Sequence, residues 1–297
     1  MLINRSNLAT LGVAFNTAFQ AGLSQGESQW PTIATAVPST TGKEEYGWLG
    51  KIPNVREWLG DRVIQNISQG KYAISNKDYE VTIGVDRNDI EDDNIGIYGP
   101  LFTELGRSST ANYDQLVWGL LKAGFATNCY DGQYFFDTDH PVLDANGVEQ
   151  SVANTDGGSG EGWYLVDDSR ALKPLILQKR KDWQLVAKDK LDDENVFNKK
   201  QFIYGVDARH NVGYGFWQFA WGSKQTLDVA HYNAARAALM GMKGDYARPL
   251  GLMPRTLIVG PSNEAAGRAI VEAQINAAGA SNVYYQTAKL VVVPWLA

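Results

Sequence analysis

The sequence predicts an α+β protein, and three observations carry that expectation. Apolar residues at helical spacing mark a long helix in the first half of the chain and shorter helices toward both ends. Between them, β-branched alternation marks strands, and 30 glycines among 297 residues call for many turns. From Asp228 onward helix and strand alternate, which gives a second, α/β-textured subdomain. At roughly 100–200 residues per domain the length fits one large domain or two ordinary ones. The aromatics (9 Trp, 14 Tyr and 10 Phe) can fill a sizeable core, since each ring removes about 150–250 Å² from water when it packs.

Charge and cysteine content exclude several functions. Acidic residues number 33 against 27 basic, for a formal net charge of −6, so a general electrostatic grip on nucleic acid is disfavoured. The one short basic cluster, Lys179 to Lys181, is followed at once by Asp182 and reads as a solvated strand end. Cys129 is the only cysteine, which rules out an internal disulfide and zinc held by paired cysteines and fits a reducing compartment. The opening MLINRSNLATLGVAF has one positive charge and an interrupted apolar stretch, so it does not read as a secretory signal. The uncharged run Ser6 to Gly26 is long enough to cross a bilayer, but Asn7, Thr10, Asn16, Thr17 and Gln20 keep it from inserting.

In chain order, Leu8, Leu11, Phe15 and Phe19 fall on one face of a helix with Ser6 or Asn7 placed to cap it. This helix opens an arm that drifts into the Pro-punctuated PTIATAVPSTTG. It has no core of its own, so it docks either on its own chain or on a neighbouring subunit. Residues 46–60 set Trp48, Leu49, Ile52, Val55, Trp58 and Leu59 among Gly and Pro. Arg62–Ile67 and Tyr79–Val85 then alternate around the Gly, Ser and Asn-rich region Ser68–Asn76, which predicts a long two-stranded hairpin. An isolated hairpin is at best marginally stable, so this one requires a partner surface.

Pro100 suits a first helical turn, and Leu101, Leu105, Leu116 and Leu120, with Phe102, Val117 and Leu121 beside them, continue a helix to about Phe125, where Gly124 marks its end. After the Gly-rich turn TDGGSGEG, strands are expected at Trp163–Val166, Leu172–Lys179, Phe202–Ala208 and Gly213–Ala220. An Ala-rich helix with Val229, Tyr232, Arg236, Leu239 and Met240 follows, then strand Thr256–Val259, helix Ser262–Ala277 capped by Ser262, and strand Lys289–Val293.

No constellation demands catalysis. TLIVGPSNEAAG is a strand-turn-helix, but Gly260 and Gly267 are too far apart for a dinucleotide loop, and Pro261 removes a backbone donor. Asp137, Asp139 and His140 in FFDTDHP form the sharpest cluster. They could begin a metal site with further ligands, yet turn chemistry before Pro141 explains the same residues. His140, His210 and His231 are scattered, and Cys129 reads as a small buried hydrophobe rather than a nucleophile. Asp192, Asp193 and Glu194 lie in a Lys-flanked, solvated loop. No catalytic, cofactor-binding or metal residue is assigned, and no cofactor is expected.

Several blocks carry a family resemblance: REWLGDR (Arg56–Arg62), DIEDDNIGIY (Asp89–Tyr98), CYDGQYFFDTDHP (Cys129–Pro141), GYGFWQFA (Gly213–Ala220) and LIVGPSNE (Leu257–Glu264). In this order, over nearly the whole chain, the sequence resembles the major head subunits of Mu-like phages and prophages. The resemblance implies the Hong Kong 97 type capsid fold. It places an N-terminal arm at 1–45, an extended loop at 46–97, and a peripheral domain at 98–227 with a spine helix at about 100–126. An axial domain follows at 228–290, then a closing strand, 291–297, returning to the peripheral domain.

The resemblance further implies a structural protein and not an enzyme. Copies assemble as hexamers and pentamers into an icosahedral head around double-stranded DNA, which is contacted without specificity, in keeping with the acidic charge. Expected partners besides other copies are a separate scaffold and protease, since the chain starts directly with its arm, together with the portal and decoration proteins. No membrane partner is expected. The site of action is the virion capsid, assembled in the bacterial host cytoplasm. Some relatives crosslink covalently between Lys and Asn; here Lys71 and Lys77 are only positional candidates. The competing readings are a metal-dependent hydrolase using Asp137, Asp139 and His140, and a sugar- or peptide-binding module using exposed aromatics. An arm and a hairpin without their own core favour the shell.

Overall fold

The computed structural model of the protein describes residues 2–49 and 72–297. Arg5–Gln25 forms α1. Its cap is Asn4, whose side chain accepts from the Asn7 amide at 2.8 Å, so Asn7 is the donor and not the expected cap. Leu8, Leu11, Phe15 and Phe19 are buried, and the surface that buries them is the chain's own: Phe15 stacks on Phe102 at 4.3 Å and meets Tyr204 edge-on at 5.1 Å. Of the two alternatives for the arm helix, docking on its own chain is the one realised. The Pro-punctuated stretch beyond it contains a strand, β1 (Ala34–Pro38). Pro38 is tolerated there because β1 lies at a sheet edge, where a missing N–H breaks no ladder.

Next come β2 (Lys43–Glu45), β3 (Ala73–Ser75), β4 (Lys77–Asp86), α2 (Arg87–Glu91) and the spine helix α3 (Tyr98–Ala123). The spine begins two residues before Pro100, which still sits in the first turn, where a missing N–H has no helical partner to lose. It ends at Gly124 as expected. Its buried stripe is Phe102, Leu105, Ser109, Tyr113, Val117 and Leu121, rotated from the expected one, since Leu101 is 48% exposed. Two layers cover the spine, α1 and a sheet, so polar Ser109 and Asp114 are buried as well. The two helices touch at Gly22 and Gly106. A Cβ on Gly22 would lie 2.0 Å from the Thr103 carbonyl oxygen, and one on Gly106 2.3 Å from that of Phe19, so only glycine permits the crossing.

The middle of the chain supplies β5 (His140–Leu143), β6 (Glu149–Val152), β7 (Thr155–Gly158), β8 (Trp163–Val166), β9 (Leu175–Lys188), α4 (Glu194–Lys199) and β10 (Gln201–Tyr214). β8 matches the expected strand. The expected Leu172–Lys179 begins as a strand only at Leu175, and with Phe202–Ala208 it falls in two 14-residue strands that pair as a long antiparallel hairpin. These form a four-stranded sheet in the order β1-β9-β10-β4. Phe202, Tyr204, Val206, Ala208 and His210 alternate into the core, the period expected of a sheet with one face covered. The basic cluster Lys179–Lys181 lies inside β9 rather than at a strand end: Lys179 Nζ sits 4.2 Å from the Tyr113 ring centroid, and Lys181 pairs with Asp207.

The last third adds β11 (Ala220–Lys224), α5 (Val229–Met240), β12 (Lys243–Gly244), β13 (Arg248–Pro249), β14 (Thr256–Val259), α6 (Glu264–Val271) and β15 (Lys289–Val292). The expected strand Gly213–Ala220 is interrupted, because β10 ends at Tyr214 and Trp217–Phe219 forms a 3₁₀ turn before β11. The expected helix Ser262–Ala277 is shorter at both ends. Pro261–Asn263 is a 3₁₀ turn, and α6 stops at Val271, where the Asn282 amide donates to the carbonyls of Ala269, Ile270 and Ala273. A second sheet has the order β15-β14-β8-β11-β7.

One expected placement changes. Arg62–Ile67, the first arm of the expected hairpin, lies outside the described residues. The second arm, Tyr79–Val85, is not self-standing: it lies in β4, which pairs with β10 from Lys77↔His210 to Asp86↔Gln201, and Ala73–Ser75 in the expected turn is itself a strand. In the closing segment, β15 runs parallel to β14 in the five-stranded sheet, and the residues after it pack on the spine helix, where Lys122 Nζ donates to the Ala297 carbonyl at 2.8 Å. The division at 227/228 therefore passes through that sheet, with β8 and β11 on one side and β14 and β15 on the other. All of β14 is buried, so strands are needed along both its edges.

Candidate functional site

The sharpest cluster in the sequence comes apart in three dimensions. Asp137 organises a turn, accepting from the Tyr134 amide at 3.1 Å and the Thr138 amide at 2.7 Å, while its own N–H donates to the Asn154 side chain at 2.9 Å. Asp139 is exposed, and its carboxyl is held above the usual range by its hydrogen bond to Asp137. His140 turns the other way, into the core. Its ring is fully buried and stacks on Trp217 at 3.8 Å and 10°.

The partner of His140 is Asp131, nine residues earlier, with Nδ1 and Oδ2 2.7 Å apart. The other carboxylate oxygen accepts from the Cys129 thiol at 3.0 Å and from the Gln133 amide at 3.1 Å. A tight turn with Gly132 at φ +93 folds Asp131 back toward His140. The Asp-Gly pair in CYDGQY was a readable turn signal, although it names no partner across the turn. Among the described residues, Cys129, Asp131 and His140 are the metal-ligand types that converge, within 4.8 Å of one another.

Chemically, this arrangement braces a turn. Burial and the neighbouring Asp131 carboxylate push the Cys129 thiol up, opposite to what a nucleophile requires. Hydrogen bonds from His140 and Cys129 hold Asp131 below its ordinary value despite its burial. Each histidine has its own setting: His210 Nε2 meets Asn112 at 2.8 Å, and His231 lies in the first turn of α5, where its N–H donates to the capping Asp228 carboxylate at 2.9 Å and its Nδ1 sits 3.0 Å from the same oxygen. The strand-turn-helix at β14 uses its glycines for packing. A Cβ on Gly260 would lie 2.7 Å from the Leu296 carbonyl oxygen and one on Gly267 2.7 Å from a Leu290 methyl. Asp192–Glu194 leads into α4 at the exposed hairpin tip, and Lys77 is exposed at the start of β4, whereas Lys71 lies outside the described residues.

The remaining candidate is an exposed apolar surface. Phe197, on α4 at the end of the β9–β10 ribbon, is 82% exposed, and Val186 on the same ribbon is 57% exposed. Asn195 donates to the carbonyls of Lys188 and Gln201 at 3.1 and 2.7 Å, which fixes α4 across the ends of both strands. No helix among the described residues is long and apolar enough to cross a membrane.

The family model for the Mu-like prophage major head subunit gpT matches residues 8–296. The Mu-like prophage FluMu major head subunit of Haemophilus influenzae is 45% identical over 274 residues, covering 90% of this chain and 89% of that protein. The major capsid protein of Escherichia phage Mu is 40% identical over 289 residues, 95% of each. Among solved structures, a chain of the procapsid of bacteriophage JBD30 superposes with a TM-score of 0.89 at 42% identity, covering 99% of this chain and all of that one.

Proposed function

The chain belongs to the Mu-like prophage major head subunit family, and from that premise we propose how it does its work. It is a major capsid subunit with the Hong Kong 97 type fold, a component of the phage capsid and a building block rather than an enzyme. Copies close into hexameric and pentameric capsomers, and these into an icosahedral head around double-stranded DNA. The observation that carries this reading is the full-length superposition on a procapsid subunit.

The proposed division of labour assigns 1–45 to an arm, 46–97 to an extended loop, 98–227 to a peripheral domain and the segment from 228 to an axial domain. The acidic balance of the chain supports a wall that contains DNA without gripping it. A separate scaffold and protease, the portal and decoration proteins are the further partners, and assembly takes place in the bacterial cytoplasm. We assign no metal or catalytic role to Asp137, Asp139 or His140. The test is sedimentation and negative-stain microscopy of the full chain. Rings or closed shells are expected, and a sharp monomer at every salt and protein concentration would overturn the reading.

A further inference from the structure

We propose that the cleft between the end of α1, the middle of α3 and the turn Pro294–Leu296 binds an alkylguanidinium group, carried either by an arginine side chain of another polypeptide or by a free small molecule. This goes beyond the shell reading and does not depend on it. α1 stops at Gln25, the turn after it is tied to α3 through Asp114, and Pro294–Leu296 also packs on α3. These three pieces leave a cavity of about 180 Å³, lined by Glu27, Ser28, Glu104, Arg107, Asp114 and Trp295 among others. Benzene fills cavities of about 150 Å³, so the cleft has room for a group of side-chain size.

Polar atoms in this cleft lack partners. Asp114 is 3% exposed, yet the Gln29 and Trp30 amides and the Trp118 indole all donate to its Oδ1, and Oδ2 receives no donor among the described residues. The Ser28 hydroxyl is buried without any partner. Buried acceptors of this kind are ordinarily satisfied, so a bound donor is what completes them. Glu27, Glu104 and Arg107 are exposed at the same cleft, and among the described residues none of the three forms an ion pair. Three carboxylates against one guanidinium make the cleft negative, which selects a cation.

The spacing of the acceptors decides which cation. The three carboxylates do not gather around one point: the metal-ligand types that converge within 4.8 Å among the described residues are Cys129, Asp131 and His140. A bare metal ion is therefore a poor fit, and a compact ammonium reaches few separated acceptors at once. A guanidinium spreads five N–H donors over a flat fork, so it can meet carboxylate and hydroxyl oxygens that stand apart. Its face also stacks on an indole, and Trp295 offers the cleft a ring that is 44% exposed.

The test titrates the full-length chain with propylguanidinium and follows binding by saturation-transfer NMR. Saturable binding with a Kd of about 1 mM or tighter is expected for a ligand of this size. Propylammonium should bind about threefold or more weakly, because it lacks the fork. Glu104→Gln, at an exposed site, should leave the thermal melt unchanged and weaken binding about fivefold or more, as loss of a charge-assisted bond does. Trp295→Leu keeps an apolar side chain in place and should weaken binding by removing the stacked ring. A capped tripeptide with arginine at its centre separates the two sources. If it binds as tightly as propylguanidinium, the occupant is an arginine side chain; if it is shut out while propylguanidinium binds, the occupant is a free molecule. No saturable binding of propylguanidinium, an affinity unchanged in both variants, or tighter binding of inorganic phosphate drawn by Arg107 would overturn the proposal.

Discussion

His210 shows how one buried group sets a pH dependence. It is fully buried in β10, stacks on Tyr79 at 4.4 Å, meets Tyr113 edge-on at 4.7 Å, and has no partner for Nδ1. Burial and nearby Lys179 hold its pKa down at about 4 against an ordinary 6.5, with Asp182 opposing them. Above pH 6.5 the ring is neutral in both states and costs nothing. As the pH falls toward 4 only the unfolded chain takes up the proton, so stability drops, by up to about 3 kcal/mol. Chemical denaturation at pH 7 and pH 4.5 should show this loss, and a smaller one in His210→Gln. An equal loss in both would assign the pH dependence to other groups.

The Asp131 carboxylate is a second such residue, with two side chains and one backbone amide on it. Asp131→Ala should lower stability by about 1–3 kcal/mol, because it leaves buried donors without an acceptor. Metal analysis of the unaltered protein should find no stoichiometric ion. Stoichiometric zinc lost in Asp131→Ala would overturn the structural role given to this cluster.

Among the elements, the junction of arm and spine is the place to probe. Asp114 Oδ1 accepts from the Gln29 and Trp30 amides at 2.9 and 2.7 Å and from the Trp118 indole at 3.2 Å, which ties the turn after α1 to the middle of α3. Asp114→Ala should cost about 3 kcal/mol, as expected when a buried network loses its acceptor. Gly106→Ala should cost about 1–3 kcal/mol through overpacking against the α1 backbone. Equilibrium unfolding reads both. A Gly106→Ala protein as stable as the original would show that the two helices separate at no cost.

Taken as one body, the subunit hides its arm helix in its own core but leaves the ribbon tip and the loop after α6 apolar and in water. Phe197 is held on a fixed α4, so truncating it cannot collapse a core. Phe197→Ala should leave the melt unchanged and weaken assembly, as loss of a rigid aromatic anchor does at interfaces. Light scattering during assembly reads this, and unchanged kinetics would make the tip a bystander.

Local patterns were legible wherever a neighbour in sequence settles the geometry. The buried face of α1, the end of α3 at Gly124 and the strands Trp163–Val166 and Thr256–Val259 all follow from spacing and turn residues. The family resemblance rested on ordered blocks of residues and brought the fold with it. What spacing could not reveal was which distant segment completes each surface. Tyr79–Val85 alternates as any half-buried strand does, and nothing in it names β10 as its neighbour. The stripe of α3 shifted because α1 and the sheet cover it from two sides, and the helix at Ser262 stopped early because Asn282 reaches back to its last turn. His140 carries no sign in sequence that its partner is Asp131 and not Asp137. The physical reason is common to all four: alternation and helical spacing report how much of a segment is buried, whereas pairing depends on contacts between residues far apart in the chain, which exist only once it has folded.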